Sequence, residues 1–146
     1  MPKDPNIPIF LVDDDALCLN LYQQFLKQLG YTRVYLYDNG SDCIEHVSIH
    51  KPEIIFLDYN MDGLNGLDVL KEIKQIDASI VVISISGQEE ISIAVNTIQH
   101  GALDYIVKSS LNSEKLKSIM DRAENAVVRT GPAPKAQSSF LKRLFS

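Results

Sequence analysis

The sequence alternates between short apolar runs and longer segments with helical spacing, and this alternation restricts the folds open to the chain. Five apolar runs are typical of strands, at residues 7–12, 33–37, 54–57, 80–85 and 104–107. Three of them are apolar nearly throughout, as expected of parallel strands covered on both faces. Five repeats of strand then helix predict an α/β domain with a doubly wound parallel sheet, right-handed crossovers and helices on both faces.

The segments between these strands repeat apolar residues every three or four positions, as amphipathic helices do. The apolar positions are Leu17, Leu21, Phe25 and Leu29, then Ile44 and Val47, then Leu67, Leu70 and Ile73, then Ile91, Ala94, Val95 and Ile98, and finally Leu116, Ile119, Met120, Ala123 and Val127. Gly30 and Gly101 are expected to end the helices before them. Asp14 or Asp15 is expected to cap the first helix, and Asn112 or Ser113 the last.

Composition narrows the class of protein. The chain has 146 residues, which suits one domain with a sizeable core. Its net charge of -5 argues against a general nucleic-acid binder, because too few cations remain to neutralise phosphates. No apolar run approaches the roughly 20 residues that span a bilayer, and the first residues lack a signal-peptide stretch. A cytoplasmic location is therefore expected, with Cys18 and Cys43 reduced rather than joined in a disulfide.

Chemically active side chains stand at the ends of the predicted strands. Asp13 and Asp14 follow the first strand, Asp58 the third, Ser86 the fourth and Lys108 the fifth. The carboxyl ends of parallel strands share one edge of the sheet, where ligands bind. Carboxylates that meet there repel one another, and a hard divalent cation such as Mg²⁺ relieves that repulsion. Singly, each aspartate could instead be a helix cap or turn residue and the lysine a solvated edge charge, but their coincidence favours a site.

Four segments carry a family resemblance: "FLVDDD", "IIFLDYNM", "VVISISG" and "GALDYIVK", in this order. Together they resemble the receiver domain of bacterial two-component response regulators, over about residues 7–128. The resemblance implies a flavodoxin-like sheet with strand order 2-1-3-4-5. It also implies that the chain takes a phosphoryl group from a sensor histidine kinase or a histidine phosphotransfer protein and signals to a downstream protein by contact.

The resemblance assigns the acidic residues to an acceptor and a metal site. Asp58 matches the phosphoacceptor. Asp13 and Asp14 match the pair that holds Mg²⁺, Asp14 directly and Asp13 through water. Asn60 matches the position whose backbone carbonyl completes the metal site. Phosphoryl transfer asks mainly for alignment and for neutralisation of oxygen charge, which such a site supplies.

The resemblance assigns three further residues to the response. Ser86 matches the hydroxyl residue that bonds the phosphoryl group, and Lys108 matches the lysine that pairs with it. Tyr105 matches the aromatic switch residue, which would fill space left when Ser86 moves towards the phosphoryl group. Tyr105 as ordinary core packing remains an alternative.

The chain departs from the family pattern at two positions. Ser109 follows Lys108 where receivers usually carry proline, and a trans bond is expected because a non-proline cis bond costs about 3 kcal/mol. Asp62 and two glycines stand near a position where proline is common, which predicts a mobile loop.

Three functions are compatible with this sequence. The first is a stand-alone receiver without enzyme activity beyond Mg²⁺-dependent self-phosphorylation and slow self-dephosphorylation, open to phosphorylation-dependent homodimerisation. The second is a phosphohydrolase, which Asn60 disfavours because such enzymes commonly carry an acid there. The third is a docking module that has lost phosphorylation, which the missing proline keeps open.

The last residues differ in composition from the rest of the chain. Residues 1–128 are expected to form the receiver domain, and residues 129–146 a flexible linker followed by a short amphipathic tail. The tail ends in "FLKRLF", a basic and apolar stretch too short to be a stable helix by itself. It is expected to be a frayed terminus or an extra turn that docks on the domain, with a peptide that binds a partner or a membrane surface as the alternative.

Overall fold

A computed structural model describes residues 2–127, in which five strands form one parallel sheet. The strands are β1 (Ile9–Val12), β2 (Val34–Tyr37), β3 (Ile54–Asp58), β4 (Val81–Ser86) and β5 (Asp104–Val107). Their order across the sheet is β2-β1-β3-β4-β5, and each neighbouring pair is parallel. This confirms the predicted flavodoxin-like order. The expected strands are all present, with bounds that differ by two residues at most.

Five α-helices connect the strands and follow the last one. They are α1 (Ala16–Leu29), α2 (Gly40–His50), α3 (Gly66–Ile76), α4 (Ile91–Gln99) and α5 (Ser113–Ala126), and a short 3₁₀ helix (Lys108–Ser110) precedes α5. Asp15 caps α1 by accepting from the Leu17 N–H, and Asn112 caps α5 by accepting from the Lys115 N–H. Gly30 ends α1 at a φ of 103°, as predicted for a left-handed C-cap.

The sheet separates two apolar layers because successive side chains of a strand point to opposite faces. In β1, Ile9 and Leu11 belong to the layer that α1 and α5 cover. Phe10 and Val12 belong to the layer that α2 and α3 cover. The strands therefore carry apolar residues on both faces, which explains their nearly continuous apolar runs.

The apolar stripe predicted for α1 is wrong in its first half. Leu17 and Leu21 are exposed, whereas the buried side chains of α1 are Leu19, Tyr22 and Leu26. A spacing of four residues turns about 40° past a full turn at each step, so a run of such positions drifts away from the core face. Phe25 and Leu29, at the end of the same run, do pack against the core.

Helix α4 forms where it was predicted, but its apolar residues are not core residues. Ile91 is 82% exposed, Val95 and Ile98 are also exposed, and Thr97 is the buried side chain of this helix. By contrast, the apolar stripe predicted for α5 is largely confirmed, since Leu116, Ile119, Met120 and Ala123 are buried. Similar periodicities thus mark a buried face in one helix and a solvent-facing one in the other.

The predicted boundary at residue 128 and the predicted linker and tail at 129–146 lie outside the described residues. Within residues 2–127, no helix combines the length and the apolar character needed to cross a membrane.

Candidate functional site

Three carboxylates converge at the carboxyl edge of the sheet, as the strand ends predicted. Asp13 directly follows β1, and Asp58 is the last residue of the neighbouring strand β3. Carboxylate oxygens of Asp13, Asp14 and Asp58 lie within 4.8 Å of one another. Asp13 and Asp58 are only 1% and 2% exposed, while Asp14 faces solvent. Two carboxylates of the cluster are therefore buried, and the third, that of Asp14, is exposed on the side of the cluster that is open to solvent.

Lys108 brings a cation to this cluster from the end of β5. Its Nζ lies 2.9 Å from Asp13 Oδ2 and 3.4 Å from Asp58 Oδ2. The peptide bond to Ser109 is trans, as are all those within residues 2–127. Serine in place of the family's usual proline thus does not keep the ammonium from the carboxylates.

Electrostatics of the cluster are set by burial and by mutual repulsion. Burial and, to a smaller extent, the charge of Asp13 raise the pKa of Asp58 from 3.8 to about 7 against the opposing charge of Lys108. Burial lowers the pKa of Lys108, but the close ion pair with Asp13 and the charge of Asp58 outweigh burial, so the net pKa is raised. One lysine therefore compensates only part of the charge of three carboxylates.

The donor set fits Mg²⁺. Among the described residues, Asp13 Oδ2 is a buried oxygen that forms an ion pair with the Lys108 ammonium but has no hydrogen bond that meets the geometric criteria. A buried carboxylate oxygen without a hydrogen bond is costly. Oxygen ligands are what Mg²⁺ prefers, and it commonly takes one or two carboxylates and keeps several waters. Asp13, Asp14 and Asp58 offer such oxygens on a side that Asp14 leaves open to solvent.

Ser86 lies at the end of β4 and is fully buried. It lies next to Asn60, in the loop that follows β3. The backbone N–H of Gln88 donates to Ser86 Oγ over 3.1 Å. Asn60 approaches the same oxygen, with Nδ2 at 3.3 Å, while its backbone N–H donates to Asp58 Oδ1 over 3.3 Å. Asn60 therefore bridges the acidic cluster and the serine.

Tyr105 is connected to Ser86 through the Gln88 backbone. The Tyr105 hydroxyl donates to the Gln88 carbonyl over 2.7 Å. The backbone N–H of Gln88 in turn donates to Ser86 Oγ. Tyr105 is only partly buried, so it is not an ordinary core residue here. No sequence signal indicated this role of Gln88, because the contacts use its backbone rather than its side chain.

Gly66, one of the two glycines from which a mobile loop was predicted, has a packing role that the sequence did not indicate. A Cβ at Gly66 would lie 2.5 Å from Tyr59 Cα and 2.6 Å from the Asp58 carbonyl oxygen. The Gly66 N–H donates to the Tyr59 carbonyl over 2.9 Å. Helix α3 thus begins in direct contact with the backbone that carries Asp58, an approach that only glycine allows.

The comparisons with known proteins agree with this geometry. The family model described as the response regulator receiver domain matches residues 9–121, which include every residue of the site. The chain belongs to the response regulator receiver family. Receivers are signalling domains of two-component systems rather than classical enzymes, with Mg²⁺ at an acidic pocket and histidine kinases or phosphotransfer proteins as partners.

Receiver relatives differ in how much of their own length the chain covers. Chemotaxis protein CheY of Bacillus subtilis is 34% identical over 111 residues, which are 76% of this chain and 92% of CheY. Transcriptional regulatory protein ZraR of Klebsiella oxytoca is 33% identical over 117 residues, which are 80% of this chain but 26% of ZraR. The chain is thus similar to nearly all of one regulator and to about a quarter of the other.

A solved receiver structure supports the fold independently. The receiver domain of NtrX from Brucella abortus superposes with a TM-score of 0.73 at 30% sequence identity. The match covers 79% of this chain and 96% of that domain. The five-stranded sheet described above is therefore the receiver fold.

Proposed function

We propose that Asp58 accepts a phosphoryl group from the histidine of a sensor kinase or a phosphotransfer protein. The protein then acts as a stand-alone response regulator through contacts with a downstream protein. The observation that carries this proposal is the cluster of Asp58, Asp13 and Asp14 with Lys108 at the ends of β1, β3 and β5.

The transfer is an exchange of one phosphorus bond for another. A carboxylate oxygen of Asp58 attacks the phosphorus while the bond to the donor nitrogen breaks, and that electron pair stays on the imidazole. The product is an acyl phosphate on Asp58. The rigid strand β3 holds the attacking oxygen in place, and Lys108 faces the oxygen charge that develops.

Mg²⁺ is the cofactor of this proposal. Asp13, Asp14, Asp58 and the backbone carbonyl of Asn60 would hold it. The ion would supply positive charge for the phosphoryl oxygens and relieve the repulsion among the carboxylates. Asp13 Oδ2, buried and without a hydrogen bond, supports this assignment.

Ser86 and Tyr105 form the proposed switch. When the phosphoryl group is present, the Ser86 hydroxyl donates to one of its oxygens and gives up the bonds from Gln88 and Asn60. The Gln88 backbone is then free to move, and Tyr105, bonded to its carbonyl, moves with it. Phosphorylation would thereby favour one of two packings of the loop before α4, which is a population shift.

The proposal also covers the form of the receiver, its partner surface, its location and the lifetime of its phosphoryl group. Coverage of nearly the whole length of CheY supports a stand-alone regulator, and the exposed apolar face of α4 is a surface for a partner or for a phosphorylation-dependent homodimer. The free thiols of Cys18 and Cys43 are compatible with the cytoplasm as its location. Self-dephosphorylation is proposed to be slow, without turnover of other substrates.

The mass of the intact protein after incubation with Mg²⁺ and acetyl phosphate tests the phosphoacceptor. We expect a phosphoryl adduct on the parent and on Asp62→Ala, and none on Asp58→Ala. Asp62 is the matched control because it is an exposed acid in the loop just after the acceptor.

Other outcomes separate the competing functions. No adduct on any variant, with Mg²⁺ binding demonstrated, would overturn the proposal and favour a docking module. Rapid turnover of small phosphate esters would favour a phosphohydrolase.

A further inference from the structure

Two of the three histidines of the chain stand one helical turn apart on α2. His46 and His50 are four positions apart, so their side chains lie one above the other on the same side of the helix. Both are half-buried. Their rings are nearly parallel, with an interplanar angle of 8° and centroids 5.9 Å apart. The helix thus presents two imidazoles side by side, outside the carboxylate cluster.

Aromatic side chains of the sheet hold both imidazole rings. Tyr35 and Tyr37 lie on the same face of β2, the outer strand of the sheet. The Tyr35 ring stacks on the His50 ring with centroids 4.2 Å apart, and the Tyr37 ring lies 5.3 Å from that of His46. Phe10, on the neighbouring strand, meets the His50 ring edge-on at 6.3 Å. These contacts restrict rotation of the two imidazoles, so a ligand that needs both rings finds them already oriented.

A backbone contact fixes which ring nitrogen of His46 is available to a ligand. Its Nδ1 lies 2.7 Å from the carbonyl oxygen of Asp42. A carbonyl oxygen only accepts, so Nδ1 carries the proton and donates. In the neutral imidazole, Nε2 then carries the lone pair. Metal-bound histidines commonly have this arrangement, in which one nitrogen bonds to a carbonyl or carboxylate and the other to the ion.

The separation of the two rings suits one shared ion. A zinc–nitrogen bond is about 2.1 Å long and a ring nitrogen lies about 1.1 Å from its centroid, so two rings on one ion have centroids at most about 6.4 Å apart. The observed 5.9 Å lies within this limit. Two histidines four positions apart on a helix are also the spacing found in helical zinc sites. Among residues 2–127 the pair belongs to no group of three such ligands, so water would complete the coordination.

We propose that His46 and His50 together bind one divalent transition-metal ion, with Zn²⁺ as the representative. Imidazole suits Zn²⁺, Ni²⁺ and Cu²⁺, whereas Mg²⁺ prefers oxygen ligands. The domain then has two cation sites of different chemistry, one of carboxylates at the strand ends and one of imidazoles on α2. The ion bridges one turn of α2 and stabilises the folded chain, in which the two rings are held together. This proposal does not depend on the proposed phosphoryl transfer.

A purely structural role of the two rings is the competing explanation. In that case they only cover Tyr35 and Tyr37 by stacking. His100 separates the two explanations, because its Nδ1 also lies 2.7 Å from a backbone carbonyl, that of Asn96. The residue four positions before it is this asparagine rather than a second histidine. His100 is therefore a single imidazole with the same tautomer and serves as the matched control.

NMR of the imidazole C–H groups during a Zn²⁺ titration of the full-length chain tests the proposal. Excess Mg²⁺ is present to compete for the carboxylate cluster. We expect the signals of His46 and His50 to shift together, with one ion per chain and half-saturation below about 0.1 mM, while His100 stays unchanged. Half-saturation above that concentration, an equal response of His100 or no shift at all would overturn the proposal.

A variant that keeps the stacking separates metal binding from packing. His50→Phe retains a ring against Tyr35 but removes both nitrogens. It should weaken Zn²⁺ binding at His46 by at least about tenfold, because the second ligand is no longer tethered beside the first. His100→Phe should bind Zn²⁺ as the parent does. Unchanged affinity in His50→Phe would refute the pair, and an end point of one ion per two chains, with a dimer in sedimentation, would refute a site within one chain.

Discussion

The carboxyl edge of the sheet and the exposed face of α4 break the usual burial pattern in opposite directions. At the edge, the carboxylates of Asp13 and Asp58 are buried, where charge is costly. On α4, the apolar side chains of Ile91, Val95 and Ile98 are exposed, where they gain nothing from burial. The proposed function would complete each region from outside, with a cation and a phosphoryl group at the edge and a protein surface on the helix.

The two regions are physically connected. Ser86 at the edge and Tyr105 on β5 bond to opposite sides of the Gln88 backbone, in the loop that leads into α4. Both regions are arrangements that do not maximise stability, and both lie where the proposed signalling would act. Changes at the edge should have large effects on stability and on ion binding, while changes on α4 should have almost none.

The largest effect is expected from Asp58→Asn in the absence of Mg²⁺. The difference between a pKa of 3.8 in the unfolded chain and about 7 in the folded one corresponds to up to about 4 kcal/mol. Asparagine removes the buried charge at nearly constant volume, so the free energy of unfolding should rise by up to this amount above pH 7. Chemical denaturation with a chelator present measures it.

The pH dependence of stability in the same variant tests whether the buried charge of Asp58 causes this difference. Between pH 4 and pH 7 the folded parent binds more protons than its unfolded chain, so its stability should fall as pH rises through this window. Asp58→Asn should lack that decline, whereas the exposed Asp62→Asn should keep it. A parallel decline in the parent and in Asp58→Asn would refute burial of the Asp58 charge as its source.

Mg²⁺ should stabilise the parent by a smaller amount. At a concentration one hundred times its dissociation constant, a ligand of the folded state alone adds about 2.7 kcal/mol. Thermal unfolding at increasing Mg²⁺ should show this gain in the parent and little of it in Asp13→Asn. Equal gains in the two proteins would place the ion elsewhere.

Gly66→Ala should destabilise the protein through the backbone of the acceptor strand. Its Cβ would lie 2.5 Å from Tyr59 Cα, and overpacking of this kind costs about 1–3 kcal/mol. We also expect weaker Mg²⁺ binding, because the strain falls on the peptide next to Asp58. Gly87→Ala is the matched control, since nothing lies within 4 Å of its added Cβ.

The smallest effect is expected on the exposed face of α4. Ile91→Ser should change the free energy of unfolding by less than about 0.5 kcal/mol, because the side chain is 82% exposed. Ile119→Ala on α5, where the isoleucine is buried, should cost about 2–5 kcal/mol. A cost above about 1 kcal/mol for Ile91→Ser would mean that α4 packs on the domain more than its exposure indicates.

Local sequence patterns predicted the elements well and their faces less well. The strands of the sheet follow from continuous apolar runs, and the caps at Asp15 and Asn112 follow from side chains that accept backbone N–H bonds. Leu17 and Ile91 follow the same periodicity as buried residues, yet both are exposed. Periodicity indicates that a helix forms, but the neighbouring elements decide which face is covered.

The sequence by itself determined the alternation of strands and helices and the chemical identity of the residues at the strand ends. These are local properties, set by side-chain type and spacing. Only the tertiary structure decided that Asp13, Asp14, Asp58 and Lys108 meet, because parallel pairing brings together residues up to 95 positions apart. It also decided the contacts that run through backbone atoms, at Gln88 and Gly66, which no side-chain pattern could indicate.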